Sequence, residues 1–275
     1  MSLQWFPGHM AKARRELAAL MSSVDVVIEV LDARMPESSR NPLVTELRKD
    51  TPCLKVLTKS DLADPSATQA WLAHFAADEE VLAIATSTNR RSETRTRVMA
   101  SCQALPKKRV GRATRALIAG IPNVGKSTLI NTLMGRNVAV VSDRPAVTKQ
   151  QQRVVLAGGM VVTDTPGLMS PKIEDEDAAL RLAFGGAIPA TAVDYETMVL
   201  SVAPYLCAHY PQLLDARFKL GTVPEGAAAL LEAIGTRRGF LRAGGVVDTH
   251  KAAEILVNEF RSGKLGRISL ERPSR

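Results

Sequence analysis

The chain has 275 residues, enough for one large domain or two smaller ones with a substantial core. Hydrophobic residues make up 45% and charged residues 23%, which excludes a wholly disordered chain, a collagen and a disulfide-stapled mini-protein. The formal net charge of +8 favours a polyanionic partner, either nucleic acid or anionic lipid.

The cysteines and the apolar runs favour a reducing compartment and a chain without a membrane span. Three cysteines form an odd set without a close pair, so neither a disulfide framework nor a zinc knuckle is indicated. Acidic residues interrupt the longest apolar run, around residues 24–31, well before the roughly 18 residues that a membrane-spanning helix needs. The N-terminal segment lacks a signal-like core. We therefore expect a cytoplasmic protein.

Strands and helices alternate over the first two thirds of the chain. Helical spacing predicts helices at 41–49 and 65–77, where Asn41 and Asp64 are suited to cap a helix that starts with proline. Gly158-Gly159 predicts a hairpin. This alternation is typical of an α/β fold with a mostly parallel sheet between helices. The predicted strands are 24–31, 53–57, 81–85, 116–119, 152–156 and 160–163.

The last hundred residues have a helical pattern. Helices are predicted at 175–184, 195–208, 225–234 and 249–260, separated by glycine and proline. We therefore predict two domains, an α/β domain at 1–173 and a helical domain at 174–275.

Basic residues concentrate in two stretches. Residues 88–115 contain nine Lys and Arg and one acid, and residues 236–275 contain nine and four. Such a charge run is either a solvated helix face with a loop or a surface that contacts a phosphate backbone.

Residues 120–127 form a phosphate-binding loop. Their sequence, Gly-Ile-Pro-Asn-Val-Gly-Lys-Ser, satisfies G-x-x-x-x-G-K-[ST] between a predicted strand and a predicted helix at 128–134. Backbone N–H groups and the helix N-terminus can bind phosphate oxygens. Lys126 is expected to bind the β and γ oxygens, and Ser127 is expected to ligate Mg²⁺. The predicted binding residues here are Asn123, Val124, Gly125, Lys126, Ser127 and Thr128.

Two further segments suit the γ-phosphate end of a nucleoside triphosphate. Asp164 and Gly167 belong to an Asp-Thr-Pro-Gly sequence after a predicted strand, which supplies a carboxylate for Mg²⁺ and an N–H for the γ-phosphate. Thr148 lies where a GTPase closes a switch loop onto Mg²⁺; the alternative is an ordinary loop threonine. The predicted Mg²⁺ ligands are thus Ser127, Thr148 and Asp164.

Residues 58–61, Thr-Lys-Ser-Asp, predict guanine recognition. Asp61 can accept hydrogen bonds from guanine N1–H and the exocyclic amine, whereas adenine would leave the carboxylate unpaired. The alkyl stem of Lys59 would cover the base, and Thr86 would lie behind it. Thr58 completes the motif, and GTP or GDP is the expected ligand.

The order of these motifs is inverted, because the base motif at 58–61 precedes the loop at 120–127. A circular permutation explains this order, since the termini of compact domains often lie close together. After the permutation, the segment that follows Gly167 leads directly into the helical domain, so nucleotide state could reorient that domain.

Residues 4–13 (Gln-Trp-Phe-Pro-Gly-His-Met-Ala-Lys-Ala), residues 32–36 (Asp-Ala-Arg-Met-Pro) and the permuted motif order resemble the bacterial ribosome-biogenesis GTPase A family over nearly the whole chain. The resemblance implies a circularly permuted P-loop GTPase domain and a small helical C-terminal domain. It also implies a role in assembly of the large ribosomal subunit, with rRNA and ribosomal proteins of its precursor as partners. We expect a monomer away from the ribosome.

The resemblance also bears on catalysis and on the strength of nucleotide binding. Leu168 stands where Ras-like GTPases carry a water-orienting glutamine; the resemblance assigns a catalytic part to His9, beside Lys126 and Thr148. A cap or packing role is the alternative for His9. Asn123 resembles the asparagine that ligates K⁺ in potassium-activated GTPases. Thr58 replaces the family's usual asparagine, so we expect weaker GTP affinity without loss of specificity.

Two other classes of function stay open at this stage. One is a P-loop ATPase or kinase, for which Asp61 would be incidental. The other is a GTP-regulated binding module for another RNA, protein or membrane partner, although a clear amphipathic basic anchor for membranes is missing.

Overall fold

The structure is a computed structural model that describes residues 14–15, 17–105, 112–135, 152–156, 159–164, 175–188 and 193–274. The chain divides into two compact units, one formed by 1–174 with 271–275 and the other by 175–270. The division lies one residue from the predicted boundary, but the last five residues group with the first unit. Among the described residues, no helix is long and apolar enough to cross a membrane.

A six-stranded sheet forms the centre of the first unit within the described residues. Its order is β3-β2-β1-β4-β6-β5, and every neighbouring pair is parallel except β5 with β6. Strands β1 and β2 are buried along their whole length, and most of their residues are apolar. The strands are β1 (Val26–Asp32), β2 (Cys53–Thr58), β3 (Val81–Ala85), β4 (Arg115–Ala119), β5 (Gln152–Val155) and β6 (Val161–Asp164).

Four α-helices follow β1 in the described part of the first unit. Both predicted caps are confirmed: Asn41 Oδ1 accepts from Leu43 N at 3.0 Å, and Asp64 Oδ1 accepts from Ser66 N at 2.7 Å. A proline follows each cap, where its missing N–H costs no hydrogen bond. The helices are α1 (Pro42–Arg48), α2 (Pro65–Phe75), α3 (Arg91–Ala104) and α4 (Lys126–Met134).

The predicted hairpin between the last two strands is present. β5 and β6 pair antiparallel, and Leu156 N donates to Met160 O at 2.8 Å. Gly159 has φ +81°, a conformation that favours glycine. Residues 157 and 158 lie outside the described part.

The second unit is helical throughout its described elements, as predicted. Its core contains Phe184, Leu206, Leu230 and Leu256, all buried. The helices are α5 (Glu176–Gly185), α6 (Tyr195–His209), α7 (Pro211–Phe218), α8 (Ala227–Arg238) and α9 (Thr249–Arg261).

Two features of this unit differ from the prediction. Helix α7 was not predicted, although Pro211 opens it and Leu214 and Phe218, four residues apart, bury one face. Helix α8 continues beyond the predicted end at residue 234, through Gly235 to Arg238. A Cβ at Gly235 would lie 2.3 Å from Val247 Cγ1, so glycine is needed there for close packing.

The C-terminal residues bind the first unit through side chains and backbone. The Glu271 carboxylate accepts hydrogen bonds from Glu37 N and from Ser38, whose Oγ lies 2.6 Å away. Trp71 Nε1 donates to Glu271 O at 3.3 Å, and Arg272 Nη2 lies 2.8 Å from Asp64 Oδ2. These contacts explain why residues 271–275 belong to the first unit.

Replacing Glu271 with alanine is expected to destabilise the first unit. The change leaves the backbone N–H groups at residues 37 and 38 without their charged acceptor, a loss of about 1–3 kcal/mol. Urea unfolding followed by circular dichroism measures this loss. Glu254→Ala, at an exposed position on α9, is the control and should leave the midpoint unchanged. Equal midpoints for both variants would contradict the stabilising role of the tail.

Candidate nucleotide site

Four neighbouring parallel strands end in the segments that the sequence predicted to bind nucleotide. In sheet order, β3 leads to Thr86, β2 to residues 58–61, β1 ends at Asp32, and β4 leads to residues 120–128. Parallel strands direct their carboxyl ends to one edge, where α/β sheets bind ligands. The inverted order of the motifs along the chain therefore does not separate them in space.

The loop after β4 has a backbone that only glycine allows at two points. A Cβ at Gly120 would lie 2.6 Å from the Val30 carbonyl oxygen, and Gly125 has φ +102°. Gly125 is also the N-cap of α4, and no side chain caps this helix. A helix N-terminus that no side chain caps suits a phosphate group.

Lys126 lies within this loop and is buried, with 7% of its surface exposed. Its Nζ donates to Ile121 O at 2.6 Å. An ammonium group has three donors, so Lys126 can keep this bond and still reach phosphate oxygens. Ser127 and Thr128 occupy the first turn of α4 and are half-buried.

Thr58 joins the predicted base motif to the loop. Its Oγ1 lies 2.9 Å from Leu31 O and also contacts Val124 O. The Thr58 hydroxyl has one proton and donates to one carbonyl at a time. It therefore replaces only part of the hydrogen bonding of an asparagine amide, which has two N–H donors. Thr58 also lies against Gly125, whose Cβ would be 3.4 Å from Oγ1.

Lys59 makes the second link between the two segments. Its backbone has φ +56°, which turns the chain after β2. Its Nζ donates to Asn123 O and to Asp32 Oδ2, each at 2.8 Å. Asn123 has φ +58°, a conformation that asparagine tolerates better than most residues. The lysine side chain therefore spans from the base motif to the loop.

Asp32 is a site residue whose role sequence reasoning missed, since it entered only as part of the 32–36 segment. Its carboxylate accepts from Arg34 Nη2 at 2.7 Å and from Arg34 Nε at 2.9 Å, besides Lys59. Burial alone would raise the pKa of this carboxyl, but the Arg34 and Lys59 cations outweigh burial and hold the pKa well below its usual range. The signal in the sequence is an Asp that ends a buried strand with Arg two residues later.

Because the folded pKa of Asp32 lies below the unfolded value of about 3.9, its charge stabilises the fold above that pH. The stabilisation is lost only as the pH falls toward the folded pKa. The Asp32 carboxyl therefore carries its negative charge at neutral pH.

The residues around Asp61 complete this edge. Thr86 is buried; its N donates to Leu57 O at 2.8 Å, and Ser60 N donates to Thr86 O at 3.1 Å. Asp61 is half-exposed, and Asn89 Nδ2 lies 3.4 Å from Asp61 Oδ2. Asn89 is a neighbour of the base motif that the sequence analysis did not single out.

Several predicted residues lie outside the described part of the chain. These are His9, Thr148 and Gly167, while Asp164 is described only as the last residue of β6. Among the described residues, no group of three or more His, Cys, Asp or Glu side chains could hold a metal ion. The Mg²⁺ ligand set stays a prediction, with Ser127 at the start of α4 as its described member.

Comparisons with known proteins identify close relatives over the full length. Residues 115–203 match a family model described as 50S ribosome-binding GTPase. A protein of Bacillus cereus named Ribosome biogenesis GTPase A is 42% identical, covering 99% of this chain and 95% of the relative. A protein of Priestia megaterium with the same name is 40% identical, covering 100% and 98%.

Two solved structures are similar to this chain over nearly its whole length. A GDP-bound structure of TM YlqF has a TM-score of 0.69 and 28% identity, covering 94% of this chain and 99% of the other. A GNP-bound structure of YlqF from T. maritima has a TM-score of 0.67 and 28% identity, covering 96% and 99%.

Replacing Thr58 with valine tests the link between base motif and loop. The isosteric change removes the hydroxyl bond to Val124 O or Leu31 O, which we expect to weaken GDP binding roughly 5- to 30-fold while GDP stays favoured over ADP. Asparagine at this position should bind GDP more tightly than threonine does. Titration calorimetry measures both.

The matched control is Thr68→Val in α2, which removes a buried hydroxyl bonded to Asp64 O at 2.9 Å. This variant should keep its GDP affinity. A Thr58→Val protein that binds GDP as tightly as the control would show that the hydroxyl contributes nothing to the site.

Proposed function

The chain belongs to the ribosome biogenesis GTPase A family, and on that premise we propose that it assembles the large ribosomal subunit in a GTP-controlled cycle. It is a P-loop GTPase. In the proposed cycle it binds the precursor of the large subunit in the GTP state and is released when GTP is hydrolysed. The observation that carries the proposal is the direct bonding of Thr58 and Lys59 to the loop at 120–127.

Guanine lies, in this proposal, between Lys59 and the Thr86 segment. Asp61 accepts hydrogen bonds from N1–H and the exocyclic amine, and the Lys59 stem covers the ring. The phosphates bind the loop, with Lys126 at the β and γ oxygens. Ser127, Thr148 and Asp164 would hold Mg²⁺, which neutralises charge on the phosphates when it is bound.

The chain's own residues suggest slow hydrolysis in the absence of a ribosomal particle. Leu168 cannot orient water as a glutamine would. We propose that His9 takes part in positioning water once the particle is bound, and that the γ-phosphate is sensed through Thr148 and Gly167. Hydrolysis then ends the state that binds the particle.

The basic surface of α3 supports an RNA partner. Arg91 and Arg97 are exposed on this helix, and Glu93 is its one acidic residue. Arginine side chains on an exposed helix suit phosphate oxygens of RNA. We propose that α3 and the helical unit contact ribosomal RNA, and that binding weakens steeply as salt rises.

An Asp61→Asn variant tests whether Asp61 recognises guanine and whether binding to the ribosomal particle depends on the bound nucleotide. Xanthine carries a carbonyl where guanine carries the amine, so an asparagine amide pairs with xanthine and not with guanine. We expect at least about 100-fold weaker GTP binding and a gain of XTP binding. Asp50→Asn, at an exposed position, is the control.

Sedimentation with large-subunit precursors then tests whether particle binding changes from guanine to xanthine nucleotide in the same variant. The wild type should travel with the particles in a non-hydrolysable GTP analogue and not in GDP, and Asp61→Asn only in the XTP analogue. Equal sedimentation in GTP analogue and GDP, or binding to small-subunit particles alone, would overturn the proposal.

We further propose that K⁺ bound near the Asn123 amide raises the hydrolysis rate. Because Asn123 has φ +58°, Asn123→Ala would strain the backbone, so Asn123→Gly is the better variant. The wild type should turn over several-fold faster in K⁺ than in Na⁺, and the glycine variant should show a ratio of about 1. Equal wild-type rates in the two salts would refute the K⁺ role.

A further inference from the structure

The Asp32 carboxylate and the phosphate-binding loop both bind the Lys59 ammonium group. Lys59 Nζ lies 2.8 Å from Asp32 Oδ2 and 2.8 Å from Asn123 O, so it is bound at two points. Asp32 lies at the end of β1 and Lys59 directly after β2, and these strands pair in register at Asp32 and Thr58. The sheet therefore sets the distance between the two residues.

Asp32 is itself fixed by several bonds. Arg34 contributes its backbone N at 3.0 Å as well as its guanidinium, and Asp32 N donates to Ser39 Oγ at 3.0 Å. Asp32 and Arg34 are 2% and 1% exposed. Removing either partner of such a buried ion pair is costly, because it leaves an uncompensated charge.

We propose that Asp32 is a positioning residue for guanine nucleotide binding, acting through Lys59. It holds the ammonium group against the loop so that the lysine stem is already in place when the base arrives. Preorganisation of this kind raises affinity because less freedom is lost on binding. The inference rests on the proposed function, since it concerns the same nucleotide site.

A double-mutant cycle between Asp32→Asn and Lys59→Met tests the inference, with GDP affinity as the readout. Asp32→Asn alone should weaken GDP binding about 5- to 30-fold. In the Lys59→Met background the same change should have less than about a twofold effect, because Asp32 acts through Lys59. Effects that multiply in the double variant would overturn the inference.

The control is a second buried pair in the same two strands. Lys55 Nζ bonds Glu29 Oε2, with Glu29 1% and Lys55 7% exposed. Glu29→Gln should lower the unfolding midpoint as Asp32→Asn does, but leave GDP affinity unchanged. If Glu29→Gln weakens GDP binding as much as Asp32→Asn, Asp32 has only a structural role.

Two further measurements keep the test decisive. If Asp32→Asn does not fold, Asp32→Glu replaces it, since its longer side chain keeps the charge but displaces Lys59; unchanged GDP affinity in that variant would overturn the inference. Wild-type GDP binding is measured first. Its absence would refute the proposed function, whereas wild-type binding with a multiplicative cycle would refute the role of Asp32 alone.

Discussion

The hydrogen bonds from Thr58 and Lys59 to backbone carbonyls of the phosphate-binding loop join the two segments of the candidate nucleotide site. They join residues 66 and 64 positions apart in the chain, and the base motif comes first. Both segments follow parallel strands, β2 and β4, with β1 between them. Strand position in the sheet, and not order along the chain, therefore decides which segments meet, and a permuted chain builds the same edge.

Strands β1 and β2 both contain buried charges, and the two carboxylates that β1 buries are paired with cations. Glu29 meets Lys55 and Asp32 meets Arg34 and Lys59. Such pairs add little to net stability compared with apolar residues of the same size, yet leaving one charge unpaired is costly. The two pairs differ in place: the first lies within the sheet, while the second lies at its carboxyl edge, where it can serve ligand binding.

The sequence alone predicted most strands, two side-chain caps and the motifs, because these depend on local chemistry. Asn41 and Asp64 stand before prolines, and most residues of β1 and β2 are apolar. The sequence did not predict features that arise from contacts between residues far apart in the chain. The need for Gly235 arises from Val247, and the role of Asp32 arises from Lys59 on the next strand. Helix α7 was missed because its opening proline was taken for punctuation.

The segment from Arg34 to Ser39 connects the site edge with the end of the chain. Ser39 Oγ accepts from Asp32 N, and the neighbouring Ser38 is bound by the Glu271 carboxylate. The chain leaves the first unit after residue 174 and returns to it at residue 271. The turn that fixes Asp32 is thus also the turn that receives the returning chain. The hydrogen bonds that hold the tail and those that hold the Asp32 carboxylate therefore meet at two neighbouring serines, Ser38 and Ser39.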